Sequence, residues 1–149
     1  MVHVSLANLT ARPIIALLAF AGWALLLVAS VAALRAIEVL RGRKRANEFT
    51  SGVPHGGDAY WRLNRAHANA IENLPLFAAI VLGGAALGVS SPRIAQLAEI
   101  VVIARVLQSV FHVMSGAVWA MNLRFTAFVT QLICVAWLIV QTLREVTGG

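Results

Sequence analysis

The sequence has few charged residues for its length. Only 12% of its 149 residues are charged, whereas 60% are hydrophobic. A soluble domain usually has about 25% charged residues, which help to cover a surface that faces water. With so few charges, most of this chain must be solvated by lipid. A chain of this length predicts a single domain, residues 1–149.

Cysteine is nearly absent as well. Cys134 is the only one, and it lies in an apolar run. A disulfide framework or a CxxC redox pair needs more than one cysteine, and a zinc site needs spaced cysteines and histidines that this sequence lacks. The sequence therefore predicts no metal site, and we interpret Cys134 as an apolar residue that either faces lipid or fills the core.

Acidic residues are also scarce: six Asp and Glu stand against twelve Lys and Arg, for a net charge of +6. In a soluble protein this balance would suggest nucleic-acid binding. Here four of the twelve basic residues form one short loop, namely Arg41, Arg43, Lys44 and Arg45. Basic loops beside apolar segments stay in the cytoplasm. We therefore predict a cytoplasmic first loop, both termini on the opposite side of the membrane, and no nucleic-acid partner.

Long apolar runs predict four transmembrane helices, at about residues 13–40, 58–88, 91–116 and 124–146. The first run is too long for the apolar region of a signal peptide, so we expect it to be retained. Pro13 suits a first helical turn, Asp58 suits an N-cap, and Ser91 or Pro92 begins the third helix. Residues 117–123 form either a loop or more helix. The predicted fold class is an all-α integral membrane four-helix bundle.

Polar residues follow one face of the second and the third helix. On the second helix they are Arg62, Arg65, Asn69, Glu72 and Asn73; on the third they are Arg105, Gln108, Ser109 and His112. Ionisable residues inside a membrane are costly and indicate a functional site. Both Glu72 and Arg105 fall near the middle of the bilayer, so we expect them to form an ion pair. We expect Arg41, Arg62, Arg65, His112 and Arg124 in the cytoplasmic half.

Such a site is strongly cationic and has one acid. Arginine forks bind carboxylates in a bidentate manner, and a glutamate can hold an ammonium group. A small zwitterionic peptide with two carboxylates and one amine fits that chemistry, and the positive charge would favour a thiolate. The alternatives are that Arg62 and Arg65 only extend to lipid headgroups, and that Glu72 and Arg105 form a purely structural pair.

The run from Arg65 to Phe77, RAHANAIENLPLF, resembles the second-helix signature of the membrane-associated proteins in eicosanoid and glutathione metabolism, the MAPEG family. The resemblance extends over nearly the whole chain. It implies a homotrimer with glutathione bound between subunits, and it implies glutathione contacts for Arg65, Asn69, Glu72 and Arg105. It also implies that Arg41 reaches the neighbouring subunit's glutathione. Arg124 resembles the arginine that stabilises the thiolate.

The chain departs from the family pattern at two positions of the third helix. Family enzymes often carry a tyrosine near the position of His112, and several have a histidine at the position of Gln108. We take Arg62 and Gln108 as further binding candidates because they lie on the two polar faces. Arg124 is the main catalytic candidate, with Ser109 and His112 as secondary ones.

Three functions compete. The first is a glutathione-dependent transferase or peroxidase that acts on lipophilic electrophiles, with membrane lipid around it. The second is a non-catalytic lipid-binding or scaffold protein of the same fold. The third, a small transporter of lipophilic cations, is disfavoured because a cationic cavity repels such substrates. The abundance of Ala, Arg and Val suggests a bacterial inner-membrane protein.

Overall fold

The computed structural model describes residues 6–50 and 56–148, and all regular secondary structure within these ranges is helical. The four long helices are α1 (Leu6–Leu40), α2 (Asp58–Ala86), α3 (Pro92–Met114) and α4 (Val118–Thr147). A short 3₁₀ turn, Ala46–Glu48, lies in the predicted first loop, of which residues 51–55 lie outside the described ranges. All four helices are long and apolar enough to cross a membrane, which confirms the predicted fold class.

Helix α3 is the packing centre of the bundle. It packs most extensively against α4, while α1 packs against both α2 and α3, and α2 and α4 barely touch. Ala95 and Ala98 of α3 have no exposed surface. Small residues of this kind let helices approach closely in lipid, where packing rather than water drives association. The rings of Phe20 and Phe77, whose centroids are 5.8 Å apart, join α1 to α2 in the core.

The predicted start of α1 was wrong. The helix begins at Leu6, so Pro13 lies inside it and not in its first turn. A proline inside a soluble helix is strongly destabilising because it removes a hydrogen bond and crowds the preceding turn. Membrane helices tolerate it because neighbouring helices pack around the kink. Pro13 is buried, and it borders a small cleft together with Val81 and Gly84 of α2.

The sequence left residues 117–123, before the predicted start of α4 at about Arg124, open as either a loop or more helix. Helix α4 begins at Val118, six residues before Arg124, so the ambiguous stretch is helical from Val118 onward. No Gly or Pro interrupts residues 118–123, and apolar residues there continue the helix into lipid. The connection from α3 is only residues 115–117, where Ser115 Oγ accepts a 3.1 Å hydrogen bond from the Ala117 N–H.

The other predicted boundaries were closer. Ser91 caps α3, its Oγ accepting a 3.4 Å hydrogen bond from the Ile94 N–H, as the sequence indicated. Helix α2 ends at Ala86, two residues earlier than predicted, and the chain then turns through Gly88, whose φ is +71°. A left-handed φ of this kind favours glycine after a helix. Helix α3 ends at Met114, two residues before Gly116.

Candidate functional site

Four of the predicted site residues meet at one end of the bundle, where α2 begins, α3 ends and α4 begins. We call them the arginine cluster: Arg62 and Arg65 on α2, His112 on α3, and Arg124 on α4. At ~1.5 Å per residue, each lies within about 11 Å of the helix end on that side. The four side chains therefore belong to one layer of the bundle.

The three arginines converge on His112. The charges of Arg124, Arg65 and Arg62 all act on its imidazole. Arg62 Nε also donates a 3.2 Å hydrogen bond to the carbonyl oxygen of Val113, in the last turn of α3. That bond satisfies a carbonyl that has no partner within its own helix and joins α2 to α3. Arg65 is exposed, whereas the other three members are half-buried.

Glu72 lies on the polar face of α2, two turns beyond Arg65, and it is the acid of that face that lies away from the helix ends. It is exposed, and it has no ion-pair partner within 4 Å in the described part of the chain. An unpaired charge on a membrane-spanning helix is costly. Glu72 is therefore an acid that residues 6–50 and 56–148 of a single chain leave without a counter-ion.

The expected ion pair between Glu72 and Arg105 does not form. Arg105 is only 1% exposed, one of its terminal nitrogens donates a hydrogen bond to Gln108 Oε1, and its Cζ lies 5.7 Å from the centroid of the Phe20 ring. Measured along the helices from the arginine-cluster end, Glu72 lies ~21 Å deep and Arg105 ~14 Å deep. Arg105 also points inward while Glu72 points outward, so the charge of Glu72 acts on Arg105 without contact.

The guanidinium group of Arg105 has two nitrogens without a hydrogen-bond partner among the described residues. Its Nε and its other terminal nitrogen are buried and have no hydrogen-bond partner among the described residues. Buried N–H groups of a guanidinium need acceptors, because an unpaired buried donor is expensive. Arg105 is therefore a buried cation, held by Gln108 and lying against the Phe20 ring, that keeps two unused donor nitrogens.

The remaining candidates lie outside the cluster. Ser109 is buried, and its Oγ donates a 2.9 Å hydrogen bond to the carbonyl oxygen of Arg105, so its hydroxyl is engaged within α3. Asn69 is half-buried, and its backbone carbonyl accepts a 2.9 Å bond from Asn73 Nδ2. Arg41 is exposed just after α1 and has no side-chain partner in the described ranges. A single chain does not bring these three residues to the cluster.

An apolar groove between α3 and α4 opens toward lipid beside the cluster. Its volume is about 270 Å³, and its walls include Leu107, Phe111 and Leu123. Phe111 immediately precedes His112, and Leu123 immediately precedes Arg124. An apolar molecule in the groove would therefore lie next to the cationic cluster. No group of three His, Cys, Asp or Glu side chains suited to a metal occurs in residues 6–50 and 56–148.

Comparison with known protein families agrees with this arrangement. The MAPEG family model matches residues 13–144, which cover nearly the whole chain. The chain belongs to the MAPEG family. Four helices able to span the membrane and this membership together identify an integral, multi-pass membrane protein. A search of the curated proteins found no match.

The ion pair between Arg12 and Glu99 in this MAPEG chain was not predicted from the sequence. Arg12 of α1 binds Glu99 of α3 through two hydrogen bonds, from Nε at 2.9 Å and from a terminal nitrogen at 3.0 Å. Glu99 lies off the polar face of α3, and the sequence assigned it no role. The signal that could have found the pair was two isolated, opposite charges in otherwise apolar segments.

Proposed function

We propose that this protein is a glutathione-dependent membrane transferase or peroxidase that acts on lipophilic electrophiles. The observation that carries the proposal is that Arg62, Arg65 and Arg124 lie at the same end of the bundle as His112 in a MAPEG chain. Glutathione has two carboxylates, which arginine forks bind in a bidentate manner. The same positive field favours the thiolate form of its cysteine, which is the nucleophile.

Glu72 would hold the ammonium group of glutathione. Its exposure and its lack of a counter-ion among the described residues support that role. An exposed acid facing lipid also favours an assembly in which a neighbouring subunit covers it. We therefore propose a homotrimer with glutathione between subunits, in which Arg41 reaches the glutathione of the neighbouring subunit.

Arg105, Gln108 and Asn69 would complete the binding surface. The unpartnered N–H groups of Arg105 suit a carboxylate, and Gln108 holds the guanidinium in place. Because Ser109 is engaged with the carbonyl oxygen of Arg105, we assign it no contact with the reacting sulfur.

In the proposed reaction the thiol proton leaves to His112 or to water, and Arg124 stabilises the thiolate that remains. The sulfur then attacks an electrophilic carbon, forming a carbon–sulfur bond as the leaving group departs. With a peroxide, the sulfur attacks the terminal oxygen, the oxygen–oxygen bond breaks, and the alkoxide that leaves takes a proton to become the alcohol. The glutathione sulfenic acid then reacts with a second glutathione thiol to give the disulfide and water. The second substrate would approach from the bilayer through the apolar groove.

The test is turnover in detergent with a general lipophilic aryl halide and with a lipid hydroperoxide. We expect product to depend on glutathione and to fall when cysteine replaces it, because cysteine lacks the second carboxylate that the arginines would bind. Native mass spectrometry of the same sample measures the oligomer, and we expect a trimer. No turnover with either substrate would contradict the enzyme proposal.

The apolar groove also favours the second candidate, a non-catalytic lipid-binding member of the family. The two functions differ in one measurable way. A lipid-binding protein would retain hydrophobic ligands in the groove but would form no conjugate and reduce no peroxide, even at saturating glutathione.

A further inference from the structure

The apolar groove between α3 and α4 is elongated along the two helices. On α3 its wall extends from Phe111 to Ile100, and on α4 it extends from Leu123 to Thr130. At ~1.5 Å per residue these walls are about 16 Å and about 10 Å long. Because α3 and α4 are packed neighbours joined by the short connection at residues 115–117, both walls run from the arginine-cluster end toward the middle of the bundle.

The groove is also narrow. Its volume of about 270 Å³, spread over a length of ~10–16 Å, corresponds to a cross-section of about 20 Å². An extended hydrocarbon chain, whose carbons keep ~4 Å from the atoms around them, has a cross-section of about this size. An aromatic ring with a branched substituent is wider. The dimensions of the groove therefore suit one unbranched chain.

The side chains of the groove offer no free hydrogen-bond donor. Among the described residues that line it, only Thr126 and Thr130 are polar. Their hydroxyl groups donate to the backbone carbonyl oxygens of Asn122 and Thr126, at 3.0 Å and 2.9 Å. An acceptor group placed inside the groove would find no donor there, and leaving it unpaired is costly. The groove therefore suits hydrocarbon along its length.

Only one end of the groove lies beside charged groups. There Phe111 precedes His112 and Leu123 precedes Arg124 in the sequence. At the other end the wall of α3 is formed by Ile100, which is apolar. A ligand with a polar, reactive terminus and a hydrocarbon tail would therefore bind in one direction, with the terminus beside Arg124 and the tail directed away from it.

Two alanines keep the groove open at about half its length. Ala104 lies 12 residues before Gly116 and Ala127 lies 11 residues after it, so the two have nearly the same depth on neighbouring helices. Both line the groove. A larger side chain at either position would occupy the path of a bound chain. Ala127 is half-buried, whereas Ala104 is 4% exposed, so Ala127 is the easier of the two to enlarge.

We propose that the groove binds the unbranched alkyl tail of the lipophilic substrate, and that Ala104 and Ala127 determine specificity for the shape and length of that tail. The inference rests on the proposed function, because it takes the reactive terminus of the substrate to lie beside glutathione. An extended chain advances ~1.3 Å per carbon, given C–C bonds of ~1.5 Å, so the groove holds about ten carbons.

The substrate class is thus a straight-chain electrophile that reacts at one end, such as a 1-hydroperoxyalkane. Two glutathione thiols reduce this hydroperoxide to the alcohol and water as they are oxidised to the disulfide. A series of 1-hydroperoxyalkanes of about six to about sixteen carbons tests the length of the groove. We expect kcat/KM to rise up to about ten carbons and then to level off, because a longer tail extends past Ile100 and Thr130.

Enlarging either alanine should shorten the groove. Ala127→Leu should move the break in the series to about five carbons, since the two alanines lie at half the length of the groove. Ala104→Leu should move it in the same way from the other wall. Ala136→Leu is the matched control, because Ala136 is an exposed alanine of α4 that does not line the groove, and it should leave the break unchanged.

Cumene hydroperoxide, which has nine carbons like 1-hydroperoxynonane, tests tail shape. Ala127→Leu should lower the ratio of kcat/KM for the linear peroxide to that for cumene hydroperoxide by about tenfold or more, the effect of a misfit of one or two methylene groups in an apolar pocket. Both peroxides react with the same thiolate, so a change in glutathione binding cancels in the ratio. Glutathione-dependent turnover with an unmoved break and an unchanged ratio would overturn this proposal and leave the proposed function intact.

A photoreactive probe tests the binding of the tail without turnover. A straight-chain decyl alcohol with a diazirine at its tail end is cross-linked to the detergent-purified full chain, and peptide mass spectrometry locates the adduct. We expect labelling near Ile100 and Thr130 that 1-decanol prevents and that Ala127→Leu reduces. Such labelling in a protein that reduces no peroxide would support the tail site and contradict the proposed function. Labelling elsewhere would overturn the tail site, and so would competition by phosphatidylglycerol as strong as that by 1-decanol, because a membrane lipid would then be the occupant.

Discussion

Glu72 and Glu99 lie well inside their membrane-spanning helices, and the structure balances their charges differently. Glu99 of α3 is held by Arg12 through two hydrogen bonds, with 42% and 38% of the two side chains exposed. Glu72 of α2 is exposed and has no counter-ion in the described part of the same chain.

The difference separates a structural charge from a functional one. A paired acid meets its requirement within its own chain and joins two helices. The charge of an unpaired acid on a membrane helix needs a partner from outside the chain, either a ligand or a second subunit. We therefore assign Glu99 to the fold and Glu72 to the site.

The largest expected effect is on catalysis, at Arg124. This residue would stabilise the negative charge of the thiolate, whereas Glu72 would hold the ammonium group. Replacing Arg124 with Ala should lower kcat by about 100-fold or more, as the loss of one electrostatic stabiliser does in other enzymes, while the affinity for glutathione changes much less. Steady-state kinetics with a lipophilic aryl halide measure both. Arg144→Ala, in the last turn of the same helix, is the control and should leave kcat unchanged. Equal losses in kcat and affinity would make Arg124 only an anchor.

The next effect concerns recognition of the ammonium group by Glu72. Wild type should bind glutathione about tenfold or more tightly than N-acetylglutathione, since a hydrogen bond to a charged group contributes ~1.5–3 kcal/mol. Glu72→Gln should bind the two peptides equally. Glu99→Gln should keep the wild-type ratio, and equilibrium dialysis measures all three proteins. If Glu99→Gln loses the ratio and Glu72→Gln keeps it, the two assignments are reversed.

Changes to the Arg12–Glu99 pair should affect stability instead of glutathione binding. Glu99→Gln and Arg12→Gln should each lower the thermal unfolding temperature, because each removes the contact between α1 and α3. The double variant should be no less stable than the worse single variant, since the two side chains act as one pair. Glu72→Gln should not lower the unfolding temperature of the glutathione-free protein. Additive losses in the double variant would mean that the pair contributes nothing as a pair.

The smallest effect is expected at Ser109. Its hydroxyl is buried and donates to the carbonyl oxygen of Arg105, so we expect it to contribute to α3 and not to the chemistry. Ser109→Ala should change kcat by less than about threefold, given that a neutral hydrogen bond contributes ~0.5–1.5 kcal/mol. A loss as large as that of Arg124→Ala would make Ser109 a catalytic residue.

The architecture was largely predictable because lipid imposes it. Long apolar runs must become helices there, and Ser91 followed by Pro92 marks the start of α3 in the sequence itself. The convergence of Arg62, Arg65 and Arg124 also followed, since all three lie near helix ends on the same side. The start of α1 did not follow, because Pro13 suits a first turn and is also tolerated inside a membrane helix.

The pairing of charges was not predictable. Glu72 and Arg105 both count as mid-membrane, but their depth and direction depend on where α3 ends and how it is rotated against α1. A shift of ~7 Å in depth is enough to prevent contact. Arg12 and Glu99 are 87 residues apart in sequence, and their isolated, opposite charges were the one signal that could have indicated the pair.

The most direct test of this account is calorimetric titration of glutathione into the detergent-purified protein, with Glu72→Gln in parallel. The account predicts saturable binding to wild type that is strongly weakened in the variant. Absence of binding to wild type at millimolar glutathione, or equal binding by both proteins, would contradict it.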